Sequence, residues 1–242
     1  MKTKKKPETI ENRWDILYRD YPEVYDEFAS VSYKPKWIDV LNKWFAFKGK
    51  IVVDMGSGSG LSTFNLAKKA ISVIGVEPED AMRKLAIKNA KKRKIRNVKF
   101  VKGWAQKIPL ENNSVDVVIA VTAAGHKPNS IKKFVKESIR ITKKRGLIIT
   151  IDVAPKWYGG ELAPVICGKK RVTKVDTEGV VHRVLSQHNF KYRDFYSIQN
   201  YKSLKKIIRT YGFIFGKKVI EYLKKHKKTS IKWKFRMHYK KV

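Results

Sequence analysis

The sequence has almost no cysteine and no long hydrophobic run. Cys167 is the one cysteine among 242 residues, which excludes an internal disulfide and a zinc cluster built on several thiolates. No apolar run approaches the roughly 20 residues that a membrane-spanning helix needs. Residues 1–7 are basic and lack the apolar core of a signal peptide. These absences favour a cytoplasmic protein without a membrane span.

Acidic residues are scarce relative to basic ones. The chain has 55 Lys and Arg against 21 Asp and Glu, so its formal net charge is +34. Such a field attracts polyanions and is screened by salt, and one interpretation is a basic surface that binds RNA. The other is a soluble surface rich in lysine, because specific phosphate and base readers favour the fork of arginine. Charge alone leaves both interpretations open.

A glycine-rich turn is the most informative motif that the chain does contain. An apolar run ends at Asp54, and glycines follow at alternate positions, Gly56, Gly58 and Gly60. The segment 61–70 then has apolar residues at helical spacing. Glycine lets the main chain approach a ligand closely, and a helix N-terminus offers unpaired N–H groups. The order strand, turn, helix therefore predicts a site for a nucleotide-like or amino-acid-like cofactor.

A second acid supports a ligand that contains adenosine. The segment 71–77 is a predicted strand that ends at Glu77, about 20 residues past the turn, where an acid suits the two hydroxyls of a ribose. The dinucleotide fingerprint G-x-G-x-x-G is not matched, because Gly60 comes one place early and Leu61 holds the expected place. A nucleotide-dependent oxidoreductase is therefore the weaker alternative.

Two further segments extend the pattern to a known family. The segment 103–110, GWAQKIPL, precedes 113–120, NSVDVVIA, and 143–149, KKRGLII, opens a further strand. With the glycine turn and Glu77, these segments resemble class I S-adenosylmethionine-dependent methyltransferases, closest to the small-molecule enzymes of the ubiquinone and menaquinone type. The resemblance covers residues 51–152, with looser agreement towards the C-terminus. It implies the reaction class and the cofactor, and it leaves the acceptor open.

The resemblance also implies a role for each matching residue. Asp54 would orient the turn and the methionine ammonium, and Glu77 would accept from the ribose hydroxyls. One position departs from the family, which has an acid that accepts from the adenine amino group where this chain has Trp104. Gln106 or a carbonyl would then take over that bond, and Trp104 is either a stacking surface or a buried residue. The implied cofactor contacts are Asp54, Gly56, Ser57, Gly58, Gly60, Glu77, Pro78, Met82, Trp104, Ala105, Gln106 and Val121, with no metal ligand.

The alternation of predicted strands and helices indicates a doubly wound α/β fold. Five strands precede residue 154, and 190–198 and 231–239 are two more. The resemblance implies a mostly parallel seven-stranded sheet, with an antiparallel last strand between strands five and six. We expect one Rossmann-like methyltransferase domain over 1–242, divided into an N-terminal helical cap, a cofactor-binding core, and C-terminal strands with a helical insertion, at 1–48, 49–153 and 154–242.

Several element boundaries are specific predictions. Residues 11–31 are predicted as one helix, and strand five is predicted to begin at Leu147. Asn129 or Ser130 is expected to cap the helix before it. Asn189 is expected to end a later helix in the left-handed conformation, which Asn tolerates. Asp176 or Thr177 is the expected cap of that later helix.

Few residues can be assigned a catalytic role from the sequence. Transfer of a methyl group from a sulfonium needs alignment and the exclusion of water, and a base helps only when the nucleophile carries a proton. His126, after strand four, is the one candidate base, and a solvated loop histidine is the alternative interpretation. Tyr21, Tyr25, Trp157 and Tyr158 either form an aromatic wall around the substrate or belong to the core.

The residues after strand four restrict which classes of methyl acceptor fit the sequence. The Asn/Asp-Pro-Pro-Tyr/Phe motif of enzymes that methylate exocyclic base amines is absent, and 121–124 reads VTAA instead. No cysteine lies close enough after strand four for a covalent cytosine mechanism. We therefore slightly prefer a small-molecule substrate. The alternatives are an RNA methyltransferase, or an RNA-binding module on a methyltransferase fold. The oligomeric state is left open.

Overall fold

The computed structural model describes residues 14–32, 36–168 and 179–242. Its strands are β1 (Ile51–Met55), β2 (Ser72–Val76), β3 (Val98–Val101), β4 (Val115–Val121), β5 (Thr142–Val153), β6 (Lys191–Asn200) and β7 (Ser230–Lys241). Its helices are α1 (Trp14–Asp20), α2 (Pro22–Ser32), α3 (Lys36–Trp44), α4 (Leu61–Ala67), α5 (Asp80–Lys92), α6 (Pro128–Ile141), α7 (Val180–Gln187), α8 (Leu204–Ile207) and α9 (Lys217–Lys225). A π-helical turn, Ile208–Gly212, and a short helix, Phe213–Phe215, separate α8 from α9.

The seven strands form one sheet in the order β3-β2-β1-β4-β5-β7-β6. β7 pairs antiparallel with both of its neighbours, so β6 runs in the same direction as the first five strands. This confirms the predicted mostly parallel sheet and the place of its antiparallel last strand. Because the parallel strands end at one edge, the loops that follow β1, β2, β4 and β5 meet there.

Helices cover both faces of the central strands, which explains their almost continuously apolar sequences. On one face, Val53 and Met55 of β1 pack in a cluster with buried residues of α6 and α7. On the other, Val52 packs with α3 and α4. A third cluster lies beneath α1 and α2 and includes Tyr25, with contributions from α5, β7 and the helices after β6. None of the helices in the described ranges is long and apolar enough to cross a membrane.

The predicted helix over 11–31 is wrong in its continuity. Over the described part, α1 ends at Asp20 and α2 begins at Pro22, so the chain turns at Tyr21. Proline has no N–H to donate and clashes with the carbonyl of the preceding turn, so it suits the first turn of a new helix. The helical cap is thus formed by two helices, α1 and α2, instead of one.

Two predictions around α6 are also wrong, for local reasons. α6 begins at Pro128 after Lys127, with no side-chain cap, so neither Asn129 nor Ser130 caps it. β5 begins at Thr142 rather than at Leu147. Its basic first residues pass through an irregular register opposite β4, with Arg145 at φ +66°, which the alternation of apolar residues could not reveal.

One predicted helix end is confirmed at the C-terminal side. Asn189 has φ +61° just after α7. The expected caps of α7, Asp176 and Thr177, lie outside the described residues, and Gly179 precedes the helix.

Candidate cofactor site

The glycine turn between β1 and α4 requires glycine for two reasons. Gly56 has φ +66°, and a Cβ atom there would lie 2.5 Å from the Cβ of Ala123, in the loop after β4. Gly58 has φ +54°, and its Cβ would lie 3.2 Å from a ring carbon of Tyr25 and 3.4 Å from the methyl of Met82. Left-handed backbone angles and close neighbours both exclude larger residues. The turn therefore touches the β4 loop and the helical cap.

Glu77, at the end of β2, holds this turn. The Gly58 N–H donates to Glu77 Oε2 at 2.9 Å, and the Glu79 N–H donates to Oε1 at 3.0 Å. Glu77 is only 7% exposed. Burial raises the pKa of its carboxyl, and the nearby Asp54 and Glu79 carboxylates add to the effect. Because an ionised carboxylate has about four lone-pair sites, Glu77 could still accept from hydroxyl groups of a ligand.

Asp54, the last acid before the turn, is completely buried. Its Oδ2 accepts hydrogen bonds from the hydroxyls of Ser62 and Thr63, both at 2.6 Å. Its Oδ1 has no partner, and neither has the hydroxyl of Ser57 or of Ser59. Burial raises the pKa of Asp54 to about 6. Buried polar atoms are nearly always hydrogen-bonded, so unpartnered oxygens on one turn indicate a place for a ligand or water that donates to them.

Neither of these acids is neutralised by a cation. Among the residues that the structure describes, Asp54 and Glu77 form no ion pair, although the chain has 55 Lys and Arg. Arg83 lies close, yet its guanidinium donates to the backbone carbonyl of Glu77 at 3.2 Å and to Asp80 at 2.6 Å. The turn thus keeps two acidic side chains available to a positively charged ligand.

The helical cap covers the turn. A narrow cavity at this place is lined by Tyr25, Ala29, Gly56, Ser57, Ser59, Leu61, Ser62 and Val121. Beyond it, aromatic side chains of α2 and of the C-terminal half are packed together. The ring centroids of Phe28 and Tyr211 are 5.8 Å apart, and the indole of Trp233 donates to the Tyr211 hydroxyl. Tyr25 therefore covers the turn, and an aromatic cluster lies behind it.

The structure places the remaining predicted residues in different surroundings. Val121 is buried beside the cavity, and Met82 is buried against Gly58. Trp104 is 52% exposed, so the interpretation that it is a buried residue is wrong. Pro78, Ala105 and Gln106 are partly buried around the ends of β2 and β3, and His126 is exposed in the loop between β4 and α6.

Sequence reasoning missed several polar residues at this sheet edge. Ser62 and Thr63 lie in the first turn of α4. Two hydroxyl residues shortly after the glycines were the feature of the sequence that could have predicted their place beside Asp54. Asp152, near the end of β5, has a buried Oδ2 without a partner, and burial raises its pKa to about 7. No pattern in the sequence marked Asp152. In the described part of the chain, no group of three or more His, Cys, Asp or Glu could hold a metal ion.

Sequence comparisons match the core of the chain to known methyltransferases. Residues 53–150 match the family described as a methyltransferase domain. Over 101 residues the chain is 29% identical to the uncharacterized methyltransferase YcgJ of Bacillus subtilis, covering 42% of this chain and 40% of that protein. Over 142 residues it is 24% identical to the ubiquinone/menaquinone biosynthesis C-methyltransferase UbiE of Campylobacter jejuni, covering 56% and 58%. The chain thus spans about half the length of these curated relatives.

The fold comparison extends over nearly the whole chain. The crystal structure of the PH0226 protein of Pyrococcus horikoshii superposes with a TM-score of 0.58 at 18% identity, covering 98% of this chain and 100% of that one. At this identity the likeness shows the fold alone. Residues 53–150 thus match a methyltransferase-domain family, and the chain has the fold of the PH0226 protein.

Proposed function

We propose that the protein transfers the methyl group of S-adenosylmethionine to an acceptor, and that the glycine turn holds this cofactor. The observation that carries the proposal is the set of unpartnered acceptors on the turn, Asp54 Oδ1 and the hydroxyl oxygens of Ser57 and Ser59. S-adenosylmethionine offers the matching chemistry, because its ammonium and ribose hydroxyls are donors. Its positive charges also suit a site whose acids have no cation beside them.

Each residue of the site then has a task. Asp54 would bind the ammonium, directly or through water, while Ser62 and Thr63 orient its carboxylate. Glu77 would accept from the ribose hydroxyls. Pro78 and Met82 would flank the adenine, the Ala105 N–H would donate to a ring nitrogen, and the remaining proposed contacts are Gly56, Ser57, Gly58, Gly60, Trp104, Gln106 and Val121.

The protein's contribution to the reaction is alignment and the exclusion of water. When bound, the cofactor supplies a methyl group that its sulfonium has already activated, so no oxyanion hole is needed. Tyr25 covers the turn from α2, and Ala123 touches it from the β4 loop. These contacts would hold the donor against the acceptor in a dry, enclosed space.

The division into helical cap, core and C-terminal part over 1–48, 49–153 and 154–242 stays a prediction.

An acceptor that carries a proton also needs a base. Two residues are candidates, His126 in the loop after β4 and Asp152 near the end of β5. The Thr122 N–H donates to the carbonyl of Ile151 at 2.8 Å, which ties that loop to the residue before Asp152. With a pKa raised to about 7 by burial, Asp152 can take up a proton near neutral pH.

A small-molecule acceptor fits the site better than a polymer. The turn lies under the helical cap, where Tyr25 lines the cavity and belongs to a buried cluster that includes Phe28 and Tyr211. An aromatic or otherwise apolar acceptor would gain from contact with the Tyr25 ring. RNA is the second candidate acceptor, favoured by the net charge of +34.

The test combines a titration with a transfer assay. S-adenosylhomocysteine and NADH are titrated into the protein, and labelled S-adenosylmethionine is then incubated with cell extract that is fractionated into RNA, protein and small molecules. We expect binding of S-adenosylhomocysteine and label among the small molecules. Label in RNA that falls steeply with salt would favour the second acceptor. Binding of NADH without binding of S-adenosylhomocysteine would overturn the proposal.

A further inference from the structure

The outer face of β6 and β7 combines exposed aromatic and basic side chains, at a distance from the cofactor turn. Alternation along β7 places Ile231, Trp233 and Met237 in the core, so Lys232, Lys234 and Arg236 lie on the opposite face. The register of the two strands brings residues of β6 beside them. We call this surface the outer face, formed by Tyr192, Asp194, Tyr196, Ile198, Lys232, Lys234 and Arg236.

The apolar members of the outer face are unusually open. Tyr192 is 49% exposed, Tyr196 53% and Ile198 55%. β6 is the last strand of the sheet, so in the described part of the chain no further strand pairs with its free backbone edge. Trp157 adds a further ring beside Tyr196, at 5.7 Å between centroids. A solvated sheet face usually presents polar residues, so these open rings make the face a candidate docking surface.

Cations surround these rings. The Lys232 ammonium lies 4.5 Å from the centroid of the Tyr196 ring, and the Arg236 guanidinium lies 4.4 Å from that of Tyr192. Asp194 is the acid of the outer face, and it pairs with Arg236 at 2.7 Å and with Lys234 at 2.9 Å. Lys232 has no ion pair within the described ranges, so the outer face carries a surplus of positive charge.

A partner must therefore offer negative charge and flat apolar groups together. Single-stranded nucleic acid does so, because each phosphate lies close to a base whose faces are free to stack on aromatic rings. In a duplex the bases are already stacked and cannot reach the tyrosines. RNA is the nucleic acid that regularly presents unpaired loops and ends. A second copy of this chain is disfavoured, because two molecules of charge +34 repel each other.

We propose that the outer face binds single-stranded RNA, with bases stacked on Tyr192 and Tyr196 and phosphates paired with Lys232. The last residues of β6 and the first residues of β7 lie at the edge of the sheet that carries the glycine turn. Bound RNA would thus extend from the outer face towards that edge. The interaction does not depend on the identity of the methyl acceptor.

The experiment measures the affinity of the whole protein for a labelled single-stranded RNA of about 12 nucleotides, within the usual site sizes. The variant Tyr192→Ala/Tyr196→Ala loses both rings, and we expect its affinity to fall about tenfold or more. Tyr192→Phe/Tyr196→Phe keeps both rings and is the matched control, with affinity expected to remain at the wild-type level. Thermal unfolding of both variants verifies that they fold.

Several results would overturn the proposal. Equal affinity of the alanine variant and of wild type, or equal binding of duplex RNA, would show that diffuse charge alone attracts the RNA. Equal binding of single-stranded DNA of the same sequence would remove RNA as the partner. A dimer that the alanine substitutions dissociate would assign the outer face to a second copy. The cofactor-site variant Asp54→Asn should bind RNA as wild type does, which separates this proposal from the proposed function.

Discussion

The carboxylates of Asp54 and Asp194 belong to the same sheet but lie in opposite electrostatic surroundings. Asp54 is buried at the glycine turn among hydroxyls, and burial raises its pKa to about 6. Asp194 lies on β6 between Arg236 and Lys234, and the hydrogen bond from Arg236 lowers its pKa to about 2. One acid is held without a cation, and the other is held by two.

This difference shows how a strongly basic chain can keep a buried acid apart from its cations. With 55 Lys and Arg against 21 acids, most carboxylates can find a cation, as Asp80, Asp116 and Glu137 do. The turn consists mainly of glycine and serine, and within the described residues no ammonium or guanidinium forms an ion pair with Asp54. The unpaired charge is costly in the free protein, and a bound cation would offset that cost.

Asp54→Asn should have the largest effect on binding. Loss of the charge that would receive the cofactor ammonium should weaken binding of S-adenosylhomocysteine by about 1.5–3 kcal/mol, the range for hydrogen bonds to charged groups. The same substitution should raise the free energy of unfolding at neutral pH, because it removes a buried charge. Calorimetric titration and chemical denaturation measure the two effects. Asp194→Asn is the matched control. Equal affinities of the two variants for S-adenosylhomocysteine would show that the surroundings of Asp54 give it no special role in binding.

Glu77→Ala should weaken cofactor binding by a slightly smaller amount, about 1–3 kcal/mol. The substitution strands the N–H groups of Gly58 and Glu79 as well as the ribose hydroxyls. Glu79→Ala is the control, since it removes an exposed carboxylate two residues away and leaves Glu77 in place. Unchanged affinity of Glu77→Ala for S-adenosylhomocysteine would remove Glu77 from the site.

Acid should weaken cofactor binding by protonating Asp54. The affinity for S-adenosylhomocysteine should fall as pH is lowered through about 6, by up to about tenfold per pH unit. The unliganded protein should show the reverse trend in this window. Because the folded-state pKa exceeds the usual 3.8, stability falls as pH rises from 3.8 to about 6. Titrations of S-adenosylhomocysteine into wild type and Asp54→Asn at several pH values measure the change in affinity. If the affinity of the variant also falls near pH 6, another group is responsible for the change.

Asp194→Asn should have the smallest effect, and it concerns stability alone. Loss of its two ion pairs should lower the free energy of unfolding by about 1 kcal/mol at neutral pH, after allowance for screening by solvent. Since the folded-state pKa is lowered to about 2, this stabilisation is present above the usual pKa and is lost as pH falls towards 2. Chemical denaturation across this range should show that the difference in free energy of unfolding between wild type and variant shrinks as pH falls. A constant difference would contradict the ion-pair explanation.

Local patterns predicted the parts of the fold that depend on local physics. Apolar runs marked the strands β1, β2 and β4, because buried strands exclude polar residues over their whole length. Turn chemistry marked the glycines and Asn189. The start of β5 was missed, because Lys143, Lys144 and Arg145 do not resemble a strand. They lie in the register shift between Thr142 and Leu147, and the Arg145 N–H donates to the carbonyl of Val242.

The sequence by itself determined the glycine turn, the acid that ends β2 and the order of strands and helices, because each depends on neighbouring residues and on spacing. Only the tertiary structure decided which groups meet. It brought Tyr25 onto Gly58, left the Asp54 and Glu77 carboxylates without cations, and aligned Tyr196 with Lys232 and Lys234. These contacts join residues far apart in the chain, and burial and charge there depend on packing that no local pattern contains.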